Sequence, residues 1–238
     1  MPRDVPTSSA RFPLGTGALN LDEIVRASIA IADEGGLDAL SMRRVAERLG
    51  RGVMSLYRHV EDKERLVALA SDAVFAEEPF PRHPSSAWKV RLRESAWRQW
   101  RCYLRHPWIA SVVSIGRPRL GPNGIREMEW AFGGMRDLGV SSAEKLQLYL
   151  VVTAFVHGAA GQMASEATDV RRSGQGTKAW WEAQADVLRD LFASGEFPLV
   201  SRLRAGAEPS PASWFEFGLE CLLDGLELEL ARRTGPGG

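Results

Sequence analysis

Between Ser41 and Val60 the chain sets five arginines, Arg43, Arg44, Arg48, Arg51 and Arg58, against a single acid, Glu47. A guanidinium is a planar fork of donors that grips a phosphate, or the O6/N7 edge of a guanine, with two hydrogen bonds at once. Val53 and Met54 add apolar contacts of the kind that meet a thymine methyl, and Ser55 adds a weakly selective hydroxyl. Lys+Arg and Asp+Glu are equal at 30 each over the whole chain, so any attraction to nucleic acid must come from this patch and not from overall charge.

Such groups read a duplex only if short rigid elements hold them. Ser41 is suited to cap a helix in which Val45, Ala46 and Leu49 make a narrow apolar stripe, with Arg43, Arg44, Glu47 and Arg48 facing elsewhere. Gly50 is placed to end it in a left-handed turn. A second short helix, Val53 to His59, turns Leu56 and Val60 inward and leaves Met54, Ser55, Tyr57, Arg58 and His59 outward. Neither can bury its stripe alone. Support comes from Leu21 to Glu34, where Leu21, Ile24, Val25, Ser28, Ile31 and Ala32 recur at helical spacing, with Leu37 and Leu40 plugging the corner that follows. Asp62 can cap a fourth helix over Lys63 to Glu78.

From Leu19 to Ala76 these residues resemble the tetracycline-repressor (TetR) family of bacterial transcription regulators. The resemblance rests on LDEIVRASIAIADEGGLDALSMRRVAERLG, on LYRHV at Leu56 to Val60, and on Lys63 and Leu66. It implies that Arg43, Val53, Met54 and Ser55 reach bases or the adjoining sugar, while Tyr57, His59 and Lys63 hold phosphates; Arg51 and Arg58 complete the expected DNA-binding set. Arg58 stands where the tetracycline repressor itself has an aromatic residue, and Gly52 and Val53 replace its polar base readers. The resemblance therefore carries no operator sequence with it.

The remainder of the chain reads as all-helical, giving an all-α protein with three parts. Residues 1–18, rich in Pro, Ser, Gly and Arg and without an apolar signal region, are expected to be a mobile tail; 19–64 form the three-helix helix-turn-helix domain; 65–238 form a helical ligand-binding and dimerisation domain. Helices are expected over Ser85 to Arg105, Trp108 to Ile115, Asn123 to Leu138, Ser141 to about Ser165 and Ala212 to Arg232, with a turn at Gly116 to Gly121 and a polar loop at Glu166 to Thr177 before Trp180 and Trp181. Cys102 and Cys221, far apart, suggest a reducing compartment, so the protein is expected in the bacterial cytoplasm, at the nucleoid.

Two of those helices are apolar nearly all round. Leu146, Leu150, Thr153, His157 and Ala160 line one face of the Ser141 helix, and Leu148, Val152, Phe155 and Ala159 another. The last helix pairs a seam of Gly218, Cys221 and Gly225 with a ridge of Phe215, Leu219, Leu222 and Leu226. Covering both sides requires a homodimer with a four-helix interface, which also suits a near-palindromic double-stranded operator. A membrane span is the competing reading, but Gln147, His157 and Gln162 interrupt the only long apolar run. All eight Trp lie beyond the DNA-reading segment, and Trp97, Trp100, Trp108, Trp130, Phe155 and His157, with Gln99 or Thr153 as polar handles, are expected to line a pocket for a small organic effector. Core packing is the plainer alternative for each. No metal site, cofactor motif or nucleophile elbow is recognisable around His59, His83, His106 and His157, which argues against an enzyme. The rival is a DNA-binding regulator without a small-molecule ligand, whose helical domain serves dimerisation or protein contact.

Overall fold

The structure, a computed structural model, describes residues 19–114, 121–202 and 210–234. The expected tail over 1–18 and the expected turn at 116–121, Gly121 excepted, lie outside the described residues. The helices are α1 (Leu21–Gly35), α2 (Met42–Leu49), α3 (Val53–Tyr57), α4 (Lys63–Phe75), α5 (Trp88–Arg105), α6 (Pro122–Gly133), α7 (Ser142–Ser173), α8 (Thr177–Ala183), α9 (Ala185–Ala193) and α10 (Pro211–Thr234). Single 3-10 turns lie at Leu37–Ala39, Pro107–Ser111 and Val200–Arg202. The chain divides into two compact units, residues 1–70 and 71–238, so the division falls inside α4.

Local chemistry accounts for the first unit. Asn20 and Glu23 make a reciprocal capping box at the head of α1, the Asn20 side chain accepting from Glu23 N at 2.9 Å. Ser41 Oγ caps α2 by accepting from Arg44 N at 3.2 Å. At the other end of α2, Gly50 adopts φ 63°, a left-handed conformation that a residue without Cβ takes at little cost, and Arg51 N returns to the Ala46 carbonyl at 2.9 Å. Ile24, Ile31, Leu40, Val45, Leu56 and Leu66 are almost fully buried together, as the spacing predicts, while Leu21 stands at the rim. Helix α3 ends at Tyr57, two residues early, because His59 N and Val60 N both turn back to the Leu56 carbonyl and Asp62 already caps α4 through Arg65 N.

In the second unit α5 is packed against α6, α7, α10 and the turn at Pro107–Ser111. Phe215 of α10 stacks on Trp100 of α5 with ring centroids 4.2 Å apart, and meets Trp97 edge-on and Phe155 of α7 face-on. Gly218 lets the Phe155 ring lie 2.8 Å from where a Cβ would stand. That glycine therefore serves a contact within the chain, whereas Gly225 faces open space and Cys221 is exposed. Ion pairs brace the outer edge: Lys89 reaches Asp224 and Glu227, and Arg93 binds Glu220 through two hydrogen bonds of 2.5 Å.

Several boundaries differ from expectation. Helix α4 stops at Phe75 and α5 starts at Trp88, where Ser85 Oγ accepts from Ala87 N in the turn ahead of it. The segment after His106 forms a 3-10 turn instead of a helix to Ile115, and α6 ends at Gly133, short of Leu138. The largest difference is α7. It does not give way to a polar loop at Glu166 but continues to Ser173, its last turns solvated and held by Thr168, Asp169 and Arg172, until Gly174 closes it. By length and hydropathy alone α7 could cross a membrane, yet Leu148, Tyr149, Val152, Val156, Ala159 and Ala160 are buried inside the unit, as in a core helix. From Gly161 to Arg202 no residue is buried.

At the junction of α4 and α6, Asp72 acts as a cap for the helix opposite it. Its carboxylate accepts from Asn123 N and Gly124 N, both at 3.0 Å, and from Asn123 Nδ2 at 3.1 Å, placing negative charge at the positive end of α6. The approach is so close that a Cβ on Gly121 would lie 2.2 Å from that carboxylate.

Two outcomes are expected. Gly121→Ala should cost roughly 1–3 kcal/mol by overpacking, read as a lower thermal midpoint, and part of the loss should vanish in the Asp72→Ala background because the closest clash, with the carboxylate, is gone and only the Cβ contact remains; strict additivity would contradict the contact. The hydrogen bonds from Arg93 hold the Glu220 carboxyl below the ordinary glutamate range. The folded state then binds that proton less readily than the unfolded chain, so the pair's contribution is present above a pH of about 4.3 and is lost as pH falls through the lowered value. Thermal midpoints of the unmodified protein and Glu220→Gln should differ near neutrality and converge in acid; parallel curves from pH 7 to pH 3 would deny the pair that role.

Candidate nucleic-acid interface and interior cavity

The outward face of the first unit carries the residues singled out from the sequence, but the arginines divide into different tasks. Arg48 is bound by both carboxylate oxygens of Glu34, at 2.7 and 2.8 Å, and pins α2 to the end of α1. This pairing holds Glu34 below and Arg48 above their ordinary ranges, through the hydrogen bonds first and charge second. Arg44 donates to the Ala39 carbonyl at 3.3 Å. Both belong to the scaffold. Arg43 makes a 2.8 Å bridge to Glu47 on the same helix, with its side chain 83% exposed. Such a pair is solvated and can be exchanged for a partner of higher charge density.

Around α3, Met54 is 76% and Tyr57 46% exposed, and Arg51, Arg58 and His59 are exposed beside them. Val53 and Ser55 are half-buried, with the fully buried Leu56 beneath. Lys63 begins α4 with its ammonium 3.5 Å from the Leu37 carbonyl. A methionine left this open on a helix of five residues gains nothing for folding. The face therefore combines apolar tips, a phenol and guanidinium groups on a helix fixed from behind, which is what a groove-reading element requires.

The second unit encloses a cavity of about 130 Å³. Ser71, Asp72 and Phe75 of α4 form one wall, Gln99 and Tyr103 of α5 another, Gly124, Ile125, Glu127 and Met128 of α6 a third, and Tyr149, Leu150 and Thr153 of α7 close it, with Val113 and Ser114 at the side. Glu127 is only 4% exposed, accepting from Ser95 Oγ at 2.8 Å and from Arg98 Nε at 3.0 Å. Burial pushes its carboxyl upward against the pull of Arg98 and Ser95. Arg98, equally buried, lies 3.9 Å over the Phe80 ring and also donates to the Pro79 carbonyl. Gln99 Nε2 donates to Ser95 Oγ. Desolvation raises the Tyr103 phenol and pushes Tyr149 up to about 12, so both are neutral hydrogen-bonding groups at ordinary pH. Thr153 Oγ1 is buried beside the Tyr149 phenol without a hydrogen bond of normal geometry among the described residues.

None of the six residues expected to line a pocket lines this cavity. Trp97, Trp100 and Phe155 belong to the stack on Phe215. Trp108 is buried next to His106. Trp130 packs on Phe80 under the Arg91 guanidinium. His157 stands behind the cavity, its Nδ1 3.4 Å from the Tyr103 hydroxyl. Gln99 and Thr153 do line it. Asp72, Tyr103, Glu127 and Tyr149 line it unexpectedly, although Ser95, Arg98 and Gln99 at i, i+3 and i+4 put a polar row on the inward face of α5 and call for an acid opposite.

Comparison with known proteins accords with both halves. The description "Bacterial regulatory proteins, tetR family" matches residues 24–70, and "Tetracyclin repressor-like, C-terminal domain" matches residues 80–230. The HTH-type transcriptional repressor DrrR1 of Streptomyces coeruleorubidus is 36% identical over 218 residues, 91% of this chain and 80% of that protein. An HTH-type transcriptional regulator of Saccharopolyspora erythraea is 32% identical over 185 residues, 76% of this chain and 75% of its own. Among solved structures, ActR of Streptomyces coelicolor without ligand superposes with a TM-score of 0.74 at 29% identity, covering 92% of this chain and all (100%) of that one. ActR in complex with actinorhodin gives 0.72 at 30% identity, covering 90% and 99%. The chain belongs to the TetR family of bacterial transcriptional repressors, with the DNA-binding helix-turn-helix in the residues that match the first description and the helical C-terminal domain of that family in those that match the second.

Proposed function

We propose that this repressor binds a near-palindromic operator as a homodimer and is released when a small apolar or aromatic molecule enters the cavity of the second unit. The observation that carries this reading is the course of α4. The same helix begins with Lys63, expected on a phosphate, and supplies Ser71, Asp72 and Phe75 to the cavity wall. A ligand that shifts the wall shifts the helix, and with it the setting of the recognition helix. Arg43, Val53, Met54 and Ser55 are assigned to bases, and Arg51, Tyr57, Arg58, His59 and Lys63 to phosphates or neighbouring edges. ActR, solved with actinorhodin and with (S)-DNPA, supports an organic effector for this relative.

The dimer is argued from surface that one chain leaves wet. Phe217 is 74% and Leu228 63% exposed on α10, and Leu146 is exposed on α7. Trp180, Trp181, Val187 and Leu191 add open apolar area on α8 and α9. A soluble monomer rarely carries so much, and a two-fold partner covering α7 and α10 removes the part that lies on those two helices while presenting two recognition helices to successive half-sites. A repressor so built acts on the chromosome, in the cytoplasm.

With an operator selected from random duplexes, Tyr57→Phe should weaken all sequences alike, whereas Arg43→Ala should relax preference at particular base positions by roughly tenfold. Equal, sequence-blind losses from both would overturn the assignment. With actinorhodin as the probe, saturation should lower operator affinity about 5- to 150-fold, and operator should lower probe affinity by the same factor. Thr153→Val should weaken the probe and leave operator binding in its absence unchanged. Operator affinity indifferent to bound probe would refute release by this route.

A further inference from the structure

Glu47 is out of place in α2 if that helix alone is considered. Arg43 and Glu47 lie one turn apart, with the cation in the first turn and the anion in the last, and the first turn holds no acid. That is the unfavourable order for such a pair, since the helix dipole opposes both charges. The two side chains are also open to water, 83% and 58% exposed, so their bridge adds little to the fold. Glu47 nonetheless sets a carboxylate beside an arginine assigned to a polyanion, where each phosphate repels it. A residue unfavourable on both counts is explained by what it does to Arg43.

The atoms that meet define that role. Arg43 donates from Nε to Glu47 Oε1 at 2.8 Å, and among the described residues its two Nη groups hold no partner. A guanidinium held at Nε keeps a free end, where one N–H of each Nη points forward in parallel and matches the O6/N7 edge of guanine. Guanine is uncharged and does not displace a carboxylate, whereas a phosphate does. The bond also removes rotamer freedom from a long side chain before the duplex arrives, and it strengthens once the groove expels water. We propose that Glu47 is a positioning residue, which holds Arg43 so that its Nη edge reads guanine and which withholds it from phosphate. Sequence-blind attraction falls and base preference rises. The inference rests on the assignment of Arg43 to a base in the proposed function.

The test compares Glu47→Ala, Glu47→Gln, Arg43→Ala and the Glu47→Ala, Arg43→Ala double variant, as full chains, on an operator selected from random duplexes and on a random duplex of equal length. Glu47→Ala should bind the random duplex about two- to fivefold more tightly, and lose most of the roughly tenfold guanine preference that Arg43 supplies. Glu47→Gln, whose amide oxygen still accepts from Nε, should fall between. As Arg43 passes from guanine to phosphate, the slope of log affinity against log salt on the operator should steepen by about 0.9 in Glu47→Ala. In the Arg43→Ala background, Glu47→Ala should change base preference no further. Guanine preference retained in Glu47→Ala but lost in Arg43→Ala would overturn the positioning role and leave the base assignment standing. Preference unmoved by Arg43→Ala would overturn that assignment and this inference together. The thermal midpoint of Glu47→Ala should not fall, given the order of the two charges along α2; a marked fall would make the pair structural and end the proposal.

Discussion

Two opposite charges taken out of water together govern the second unit. Arg98 and Glu127 are each under 5% exposed, and a lone ion at that depth would be prohibitive, so every neighbour is arranged to answer them. Ser95 donates to Glu127, Gln99 donates to Ser95, the Pro79 carbonyl accepts from Arg98, and Phe80 covers the guanidinium. Replacing such a pair with hydrocarbon would often be neutral or better for stability. Its presence is better understood through what it fixes: α5 and α6 in one relative setting, with a polar wall on one side of the cavity. A purely apolar packing would tolerate sliding that a satisfied network does not.

The first unit lives under the opposite constraint. Helices of five and eight residues have too few internal hydrogen bonds to persist alone, so α2 and α3 exist because α1 and the start of α4 accept their apolar faces. What remains is a surface with little structural duty. Arg48 and Arg44 show how that freedom was partitioned, since their hydrogen bonds to Glu34 and Ala39 tie the motif together. Arg43, Met54 and Tyr57 are left outward, where a groove can be met without disturbing the core. Charge alone would have treated all five arginines as equivalent.

How far the fold could be read from the residues follows from the range of the forces. Ser41, Gly50 and Asp62 act on backbone groups within three or four positions, so the caps of α2 and α4 were legible, and so was the inward turn of Leu56 and Val60. The run from Glu166 to Arg172 was misjudged because polarity does not distinguish a loop from a solvated helix; only hydrogen bonds such as Thr168 Oγ1 to the Ala164 carbonyl do. The cavity was misplaced for a related reason. Trp97, Trp100 and Phe155 gain their partner from Phe215, far along the chain, and no local spacing announces that a ring from α10 will fill the gap between them. Large aromatics mark where volume is needed, and here α10 supplies it.

That filling has a consequence for how a ligand must be held. With the biggest rings consumed by the α5, α7 and α10 stack, the cavity is left to Tyr103, Tyr149, Gln99 and Thr153, whose neutral hydrogen-bonding groups stand on two helices, α5 and α7, facing the α4 wall. Selectivity there must rest on matching donors and acceptors as well as on shape, because buried hydroxyls reject a molecule that leaves them unpaired more strongly than an apolar wall rejects a poor fit. Asp72 sharpens the point. It closes the cavity at α4 and at the same time caps α6, so a guest cannot press on one helix without loading the other through that carboxylate. Under the proposed release mechanism, recognition and response share atoms, and a tight fit and a displaced α4 become two descriptions of one event.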